Sequence, residues 1–149
     1  HMEWLGDSLE KIAGEKAGII KPGIPAVSAP QEPEAKAVFE ARAKSLGARL
    51  EFVDAPWPGR VGLAGEHQKW NAALAVAALR AAGLNVAPEV VSTALENVEW
   101  PARFQNLGDR FVVDGAHNPH SAERLCETWR SEFGDARPVV VFGALRDKD

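Results

Sequence analysis

The sequence VVDGAHNP, at residues 112–119, joins an apolar strand to a helix through a turn of small residues. It places the Asp114 carboxylate at the carboxyl end of the strand and His117 over the helix N-terminus, with Asn118 as N-cap and Pro119 in the first turn. Ligands of open α/β sheets gather at this edge, where an acid can accept hydrogen bonds from ribose and a helix N-terminus favours anions. The segment predicts an α/β fold with a nucleotide site, although capping of the helix by Asp114 and Asn118 explains it equally well.

Helices and strands alternate over most of the remaining chain. The patterns predict helices over residues 7–17, 32–46, 66–82, 88–98 and 118–133, strands over 25–28 and 49–53, a hairpin within 103–114 and a buried central strand over 138–142. Helix–strand alternation of this kind is typical of a doubly wound parallel sheet.

Composition excludes several classes of function. Hydrophobic residues make up 46% of the 149 residues, charged residues 26%, and the formal net charge is −4. Without a basic run, no nucleic acid partner is expected, and no apolar stretch reaches the roughly 18 residues that cross a bilayer. Cys126 is the only cysteine, which excludes an internal disulfide and a cysteine-based zinc site. We therefore expect a soluble, cytoplasmic protein that binds no membrane.

Three further residues are candidates for chemistry. Arg103 follows the break at Trp100–Pro101, where a guanidinium can bind phosphate oxygens, and Asn71 near the start of an alanine-rich helix can read a purine edge. Lys16 lies at a helix C-terminus, where a cation is favourable for electrostatic reasons alone. A surface salt bridge and a helix cap are the simpler explanations of Arg103 and Asn71. No phosphate-binding P-loop pattern occurs in the chain.

Five motifs together resemble a known family. They are WLGDSLEKIAGEKAGIIK at 4–21, GEHQ at 65–68 with NAAL at 71–74, WPARF at 100–104, DGAHNP at 114–119 and DKD at 147–149. In this order they resemble folylpolyglutamate synthase, including its bifunctional dihydrofolate synthase form, within the Mur ligase superfamily. The family usually has glycine at the position of Ala102.

The resemblance implies a division of the α/β fold. Residues 1–99 correspond to the end of a P-loop-type Mur ligase central domain that binds ATP. Residues 100–149 correspond to the start of a Rossmann-like C-terminal domain. The P-loop half and the final strands of the family are expected to lie outside this chain, and a monomer is expected.

The resemblance also implies a reaction and a set of site residues. The reaction is ATP-dependent ligation of L-glutamate to folate or dihydropteroate through an acyl phosphate. Asn71, Arg103 and Asp114 then contact ATP, with Arg103 on the terminal phosphates and Asp114 on the ribose. His117 faces the incoming glutamate.

The metal site of the family implies two more residues. His1 and a carbamylated Lys16 correspond to ligands of Mg²⁺, and Lys16 and His117 are the implied catalytic residues. A carbamate converts the ammonium group of a lysine into an oxygen ligand that suits a hard cation.

Two alternatives remain open at the level of sequence. A peptidoglycan ligase of the Mur type would attach an amino acid to a nucleotide-linked sugar, but the EKAGI and HNP stretches favour folate. The other alternative is a non-catalytic nucleotide-binding or structural module. A P-loop lysine encoded upstream in the gene would exclude it.

Overall fold

The computed structural model describes residues 8–145, which divide into two compact units. The first unit contains the residues up to Pro56 together with 70–87, and the second contains 57–69 together with the residues from Pro88 onward. The predicted domain boundary between residues 99 and 100 stays a prediction.

The first unit contains a βαβ arrangement. Its elements in chain order are α1 (Leu9–Ala17), β1 (Ala26–Ser28), α2 (Pro33–Ser45) and β2 (Leu50–Phe52). Strands β1 and β2 pair in parallel, with Val27 opposite Glu51, and the helix between them supplies the crossover that parallel strands require. Ala17, Ile20 and Ala43 form the buried core beneath them. This confirms the helix–strand alternation and the parallel pairing predicted from the sequence.

Helix α3 (His67–Ala81) contributes residues to both units. The second unit continues with α4 (Pro88–Glu96), β3 (Gln105–Leu107), β4 (Phe111–Val113) and α5 (Pro119–Phe133). Strands β3 and β4 form the predicted antiparallel hairpin, and Gly108 in its turn has φ +66°, a left-handed conformation that glycine adopts without strain. Within residues 8–145, no helix is long and apolar enough to cross a membrane.

Helix α5 begins at the predicted residue. The Asn118 side chain accepts the Ser121 backbone N–H at 2.9 Å, and the Ser121 hydroxyl in turn accepts the Asn118 N–H at 3.1 Å. Such a reciprocal capping box satisfies two backbone donors that the helix itself leaves unpaired, and Pro119 needs no donor partner.

The prediction of a central strand at residues 138–142 is wrong. The segment makes no strand pairing, and Val139 and Val141 are both 97% exposed. β-branched residues favour a pleated, half-buried surface, but a strand also needs a neighbour to pair with its backbone groups. None of the segments between residues 8 and 145 provides that neighbour.

Candidate functional site

Arg103 lies in the middle of an unusual turn in the second unit. The residues on either side of it, Ala102 and Phe104, have φ values of +57° and +47°. Residues other than glycine rarely adopt this left-handed conformation, because Cβ approaches the backbone too closely. The Arg103 side chain is exposed. The turn therefore presents a guanidinium on a strained segment of backbone.

Hydrogen bonds hold this turn from two sides. The Ala102 N–H donates to Gln105 Oε1 at 3.1 Å, and the Ala102 carbonyl accepts the Gly115 N–H at 2.9 Å. The Phe104 N–H donates to Asp114 Oδ2 at 2.8 Å. The polar backbone groups that flank Arg103 are thus bound by the hairpin and by the loop that follows β4.

Both carboxylate oxygens of Asp114 accept backbone N–H groups. Oδ2 binds Phe104, and Oδ1 accepts the Ala116 N–H at 2.8 Å. Each carboxylate oxygen has a second acceptor direction, so this geometry leaves room for one further donor on each. Asp114 does not cap α5, since Asn118 does, and Asp114 instead connects its own loop to the Arg103 turn.

The ring of His117 has a defined tautomer. Its Nδ1 lies 2.8 Å from the Gly115 carbonyl oxygen, which can only accept a hydrogen bond. Nδ1 of the neutral ring therefore carries the proton, and Nε2 carries the lone pair. The side chain is exposed, so Nε2 can accept a hydrogen bond from an N–H or ammonium group of a ligand.

A cleft of about 740 Å³ lies within the second unit, and the Arg103 turn lines it. The other charged residues that line the cleft are Arg60, Lys69, Glu66, Glu99 and Glu132. Lys69 and Glu66 form an ion pair of 3.0 Å. In the part of the chain that the structure describes, Arg60 and Arg103 have no carboxylate within ion-pair distance. Two unpaired guanidinium groups at one cleft can bind a phosphate or carboxylate ligand.

Residues 102–149 match the family described as "Mur ligase, glutamate ligase domain". The chain is 36% identical to the dihydrofolate synthase/folylpolyglutamate synthase of Bacillus subtilis, over 99% of its own length. The chain belongs to the folylpolyglutamate synthase/dihydrofolate synthase family. It spans 41% of the length of the Bacillus relative.

Solved structures of this family have the same mixed α/β fold. A structure described as an FPGS–AMPPCP–folate complex is 28% identical to this chain, with a TM-score of 0.80 over 91% of this chain and 40% of that one. Escherichia coli FolC in complex with DHPP and ADP is 31% identical, with a TM-score of 0.78 over 100% of this chain and 40% of that one. The predicted fold class and family are confirmed.

The structure brings together three of the residues that the family resemblance implied. Arg103, Asp114 and His117 lie in the second unit, and the loop at residues 114–116 links the Arg103 turn to His117. Asn71 is exposed on α3, within the first unit. The ATP and glutamate roles of these four residues stay predictions.

The described residues do not test the predicted magnesium site. Lys16 is exposed on α1, and His1 lies outside the described residues. No group of three or more His, Cys, Asp or Glu side chains within residues 8–145 is placed to hold a metal ion. The roles of His1 and Lys16 as magnesium ligands stay predictions.

No role is predicted from the sequence for His67, a half-buried residue at the start of α3 whose ring lies close to Gly65. A Cβ at Gly65, which has φ +100°, would lie 2.6 Å from both His67 Cε1 and Thr128 Oγ1. Thr128 is 3% exposed, so Gly65 lies against a buried residue of α5. Nothing in the sequence around Gly65 indicates that Thr128, more than 60 residues away, lies close to it.

Burial lowers the pKa of His67 below the ordinary histidine value of 6.5. The Asp114 carboxylate opposes this shift, Arg124 reinforces it, Glu127 opposes it, and Arg103 reinforces it. His67 is therefore held neutral in an environment that contains charges of both signs.

We expect the free energy of unfolding to decrease as pH falls through 6.5, because His67 binds a proton more readily in the unfolded chain. The stabilisation from neutral His67 is complete above pH 6.5 and is lost as pH falls through the lower pKa of the folded state. Urea unfolding between about pH 7.5 and pH 5.5 measures it. His67→Gln should weaken the pH dependence, while His120→Gln, at an exposed helix position, should leave it unchanged. Equal pH dependence in both variants would contradict this prediction.

Ala102→Gly is expected to raise the free energy of unfolding by about 0.5–1 kcal/mol, because glycine adopts φ +57° without the Cβ contact. Urea unfolding followed by tryptophan fluorescence measures the change. Ala122→Gly is the matched control, and it should lower stability by about 1 kcal/mol because Ala122 is an exposed residue of α5. A loss of stability in both variants would show that the conformation at Ala102 carries no strain.

Proposed function

We propose that the chain is part of an ATP-dependent ligase that adds L-glutamate to folate or dihydropteroate. The observation that carries this proposal is Arg103, whose guanidinium has no ion-pair partner among residues 8–145 and is presented at a cleft by a hydrogen-bonded turn. The relatives support it, because their structures are described as complexes with AMPPCP and folate and with DHPP and ADP. In this chemistry ATP activates the folate carboxylate by phosphorylation. The enzyme of which this chain is part is proposed to act in the cytoplasm.

Each of these site residues would then have a distinct role, which follows from its charge and its hydrogen-bonding groups. Arg103 binds the terminal phosphates, whose negative charge is redistributed during phosphoryl transfer, and so lowers the barrier. His117 presents the Nε2 lone pair to the amino group of glutamate. Asn71 binds the purine base.

We expect Arg103→Ala to lower kcat about ten- to hundredfold, since a hydrogen bond to a charged group contributes roughly 1.5–3 kcal/mol. The assay uses a chimera in which this chain replaces the matching segment of the Bacillus subtilis relative. It measures ADP release that requires glutamate, with dihydropteroate and with reduced folate as substrates. Arg110→Ala is the matched control, because Arg110 is also exposed but stands over the Phe111 ring on the hairpin.

His117→Ala should instead raise the KM for glutamate more than the KM for ATP. A chimera that is folded by circular dichroism but ligates no glutamate would contradict the proposed function. Equal activity of the Arg103→Ala and Arg110→Ala chimeras would remove Arg103 from the site.

A further inference from the structure

We propose that Asp114 is a positioning residue that acts through Arg103, by holding the turn at residues 102–104 in its left-handed conformation. The proposal rests on the proposed function only for its catalytic consequence. Its structural part concerns the second unit alone.

The turn at residues 102–104 requires external support. Backbone conformations of this kind persist in residues with a Cβ only where the surrounding structure imposes them. Ala102 and Phe104 both have positive φ, so the whole peptide segment around Arg103 is unfavourable by itself. Groups outside the turn must therefore keep it in place.

Asp114 is the charged member of that support. Its carboxylate lies 2.8 Å from the Phe104 and Ala116 nitrogens, a length typical of strong charge-assisted hydrogen bonds. An asparagine at this position could accept only one of these bonds, because its NH₂ group would face the other N–H donor. Asp114→Asn therefore removes one of the two bonds, whichever way the amide is oriented.

The same loop also guides the Arg103 side chain. A Cβ at Gly115 would lie 3.4 Å from Arg103 Nη1 and 3.4 Å from the Ala102 carbonyl oxygen. The guanidinium group of Arg103 therefore lies along the loop at residues 114–116. Its direction depends on the distance between this loop and the turn at residues 102–104. Loss of the Asp114 bonds changes that separation and therefore misplaces the guanidinium.

This role differs from direct contact between Asp114 and a nucleotide ribose, and Ala102 distinguishes the two. With glycine at 102, the turn forms without the Cβ contact and depends less on Asp114. Ala102→Gly should therefore rescue Asp114→Asn if Asp114 holds the turn. A glycine at 102 cannot replace a hydrogen bond from the carboxylate to a ribose hydroxyl.

The first arm of the experiment is trypsin digestion of the chain itself. We expect Asp114→Asn to accelerate cleavage of the Arg103–Phe104 bond about ten- to hundredfold, in proportion to local opening of the turn. Cleavage of the Arg110–Phe111 bond, which has the same residue types, is the internal control and should be unchanged. Equal acceleration of both bonds, or no acceleration, would overturn the proposal.

The second arm uses the Bacillus chimera. Asp114→Asn should lower kcat about ten- to hundredfold. Adding Ala102→Gly to Asp114→Asn should raise kcat again at least severalfold. In the Arg103→Ala background, Asp114→Asn should cause no further loss of kcat. Additive losses, or a raised KM for ATP that Ala102→Gly does not correct, would overturn positioning in favour of direct nucleotide contact. If the chimera does not ligate glutamate, the proposed function fails, while the trypsin result still decides whether Asp114 holds the turn.

Discussion

Phe104→Ala is expected to lower the free energy of unfolding by about 3–5 kcal/mol, the range for truncation of a buried aromatic side chain. Phe104 is 6% exposed, and its ring centroid lies 5.9 Å from that of Phe133 and 6.3 Å from that of Trp129. These three rings form the aromatic cluster of the second unit. The substitution leaves a cavity at the residue that anchors the Arg103 turn.

Urea unfolding followed by tryptophan fluorescence measures this loss. Phe111→Ala is the matched control, because Phe111 is 62% exposed. This substitution should lower the free energy of unfolding by at most about 1 kcal/mol. A loss at Phe104 no larger than the loss at Phe111 would contradict the packing of the cluster.

Gly65→Ala is expected to lower the free energy of unfolding by about 2–4 kcal/mol, because backbone strain and steric overlap act together. The new Cβ would lie 2.6 Å from Thr128 Oγ1, which is buried and donates its proton to the Arg124 carbonyl at 2.8 Å. Thr128 cannot move away without breaking that bond. The φ of +100° at Gly65 adds strain for any residue with a Cβ.

Gly108→Ala separates the effect of backbone strain from the effect of steric overlap. Gly108 also has positive φ, but no atom outside its neighbours lies within 4 Å of a Cβ there. Gly108→Ala should therefore lower the free energy of unfolding only by the contribution of backbone strain, about 1–2 kcal/mol. Equal losses at Gly65 and Gly108 would mean that the overlap with Thr128 is relieved at no cost.

Local signals predicted the elements that depend on local physics. Asn118 and Pro119 fixed the start of α5, and Gly108 marked the hairpin turn, because capping and turn conformation depend on a few adjacent residues. The parallel pairing of β1 and β2 followed from the helix between them. The strand end before residue 115 and the break at Trp100–Pro101 identified Asp114 and Arg103 as candidate site residues, and the family resemblance then implied their roles at ATP.

Contacts between distant residues could not be predicted in the same way. Nothing in the residue types of Ala102 or Phe104 indicates positive φ, which depends on hydrogen bonds from Gly115 and to Asp114. The position of Asp114 at the end of a strand predicted a contact with a ligand. It did not indicate that the carboxylate accepts the backbone N–H groups of Phe104 and Ala116. The close approach of Gly65 to Thr128 joins residues that are more than 60 positions apart in the sequence.

The exposed segment at residues 138–142 has a consequence for handling this chain in solution. Unpaired N–H and C=O groups beside valine and phenylalanine side chains form a template on which the same segment of another molecule can add as a strand. Self-association through such a template increases with protein concentration and competes with refolding from urea. Dilute samples therefore suit the unfolding and proteolysis measurements, and Val140→Lys would place a charge in the middle of the exposed segment and oppose this self-association.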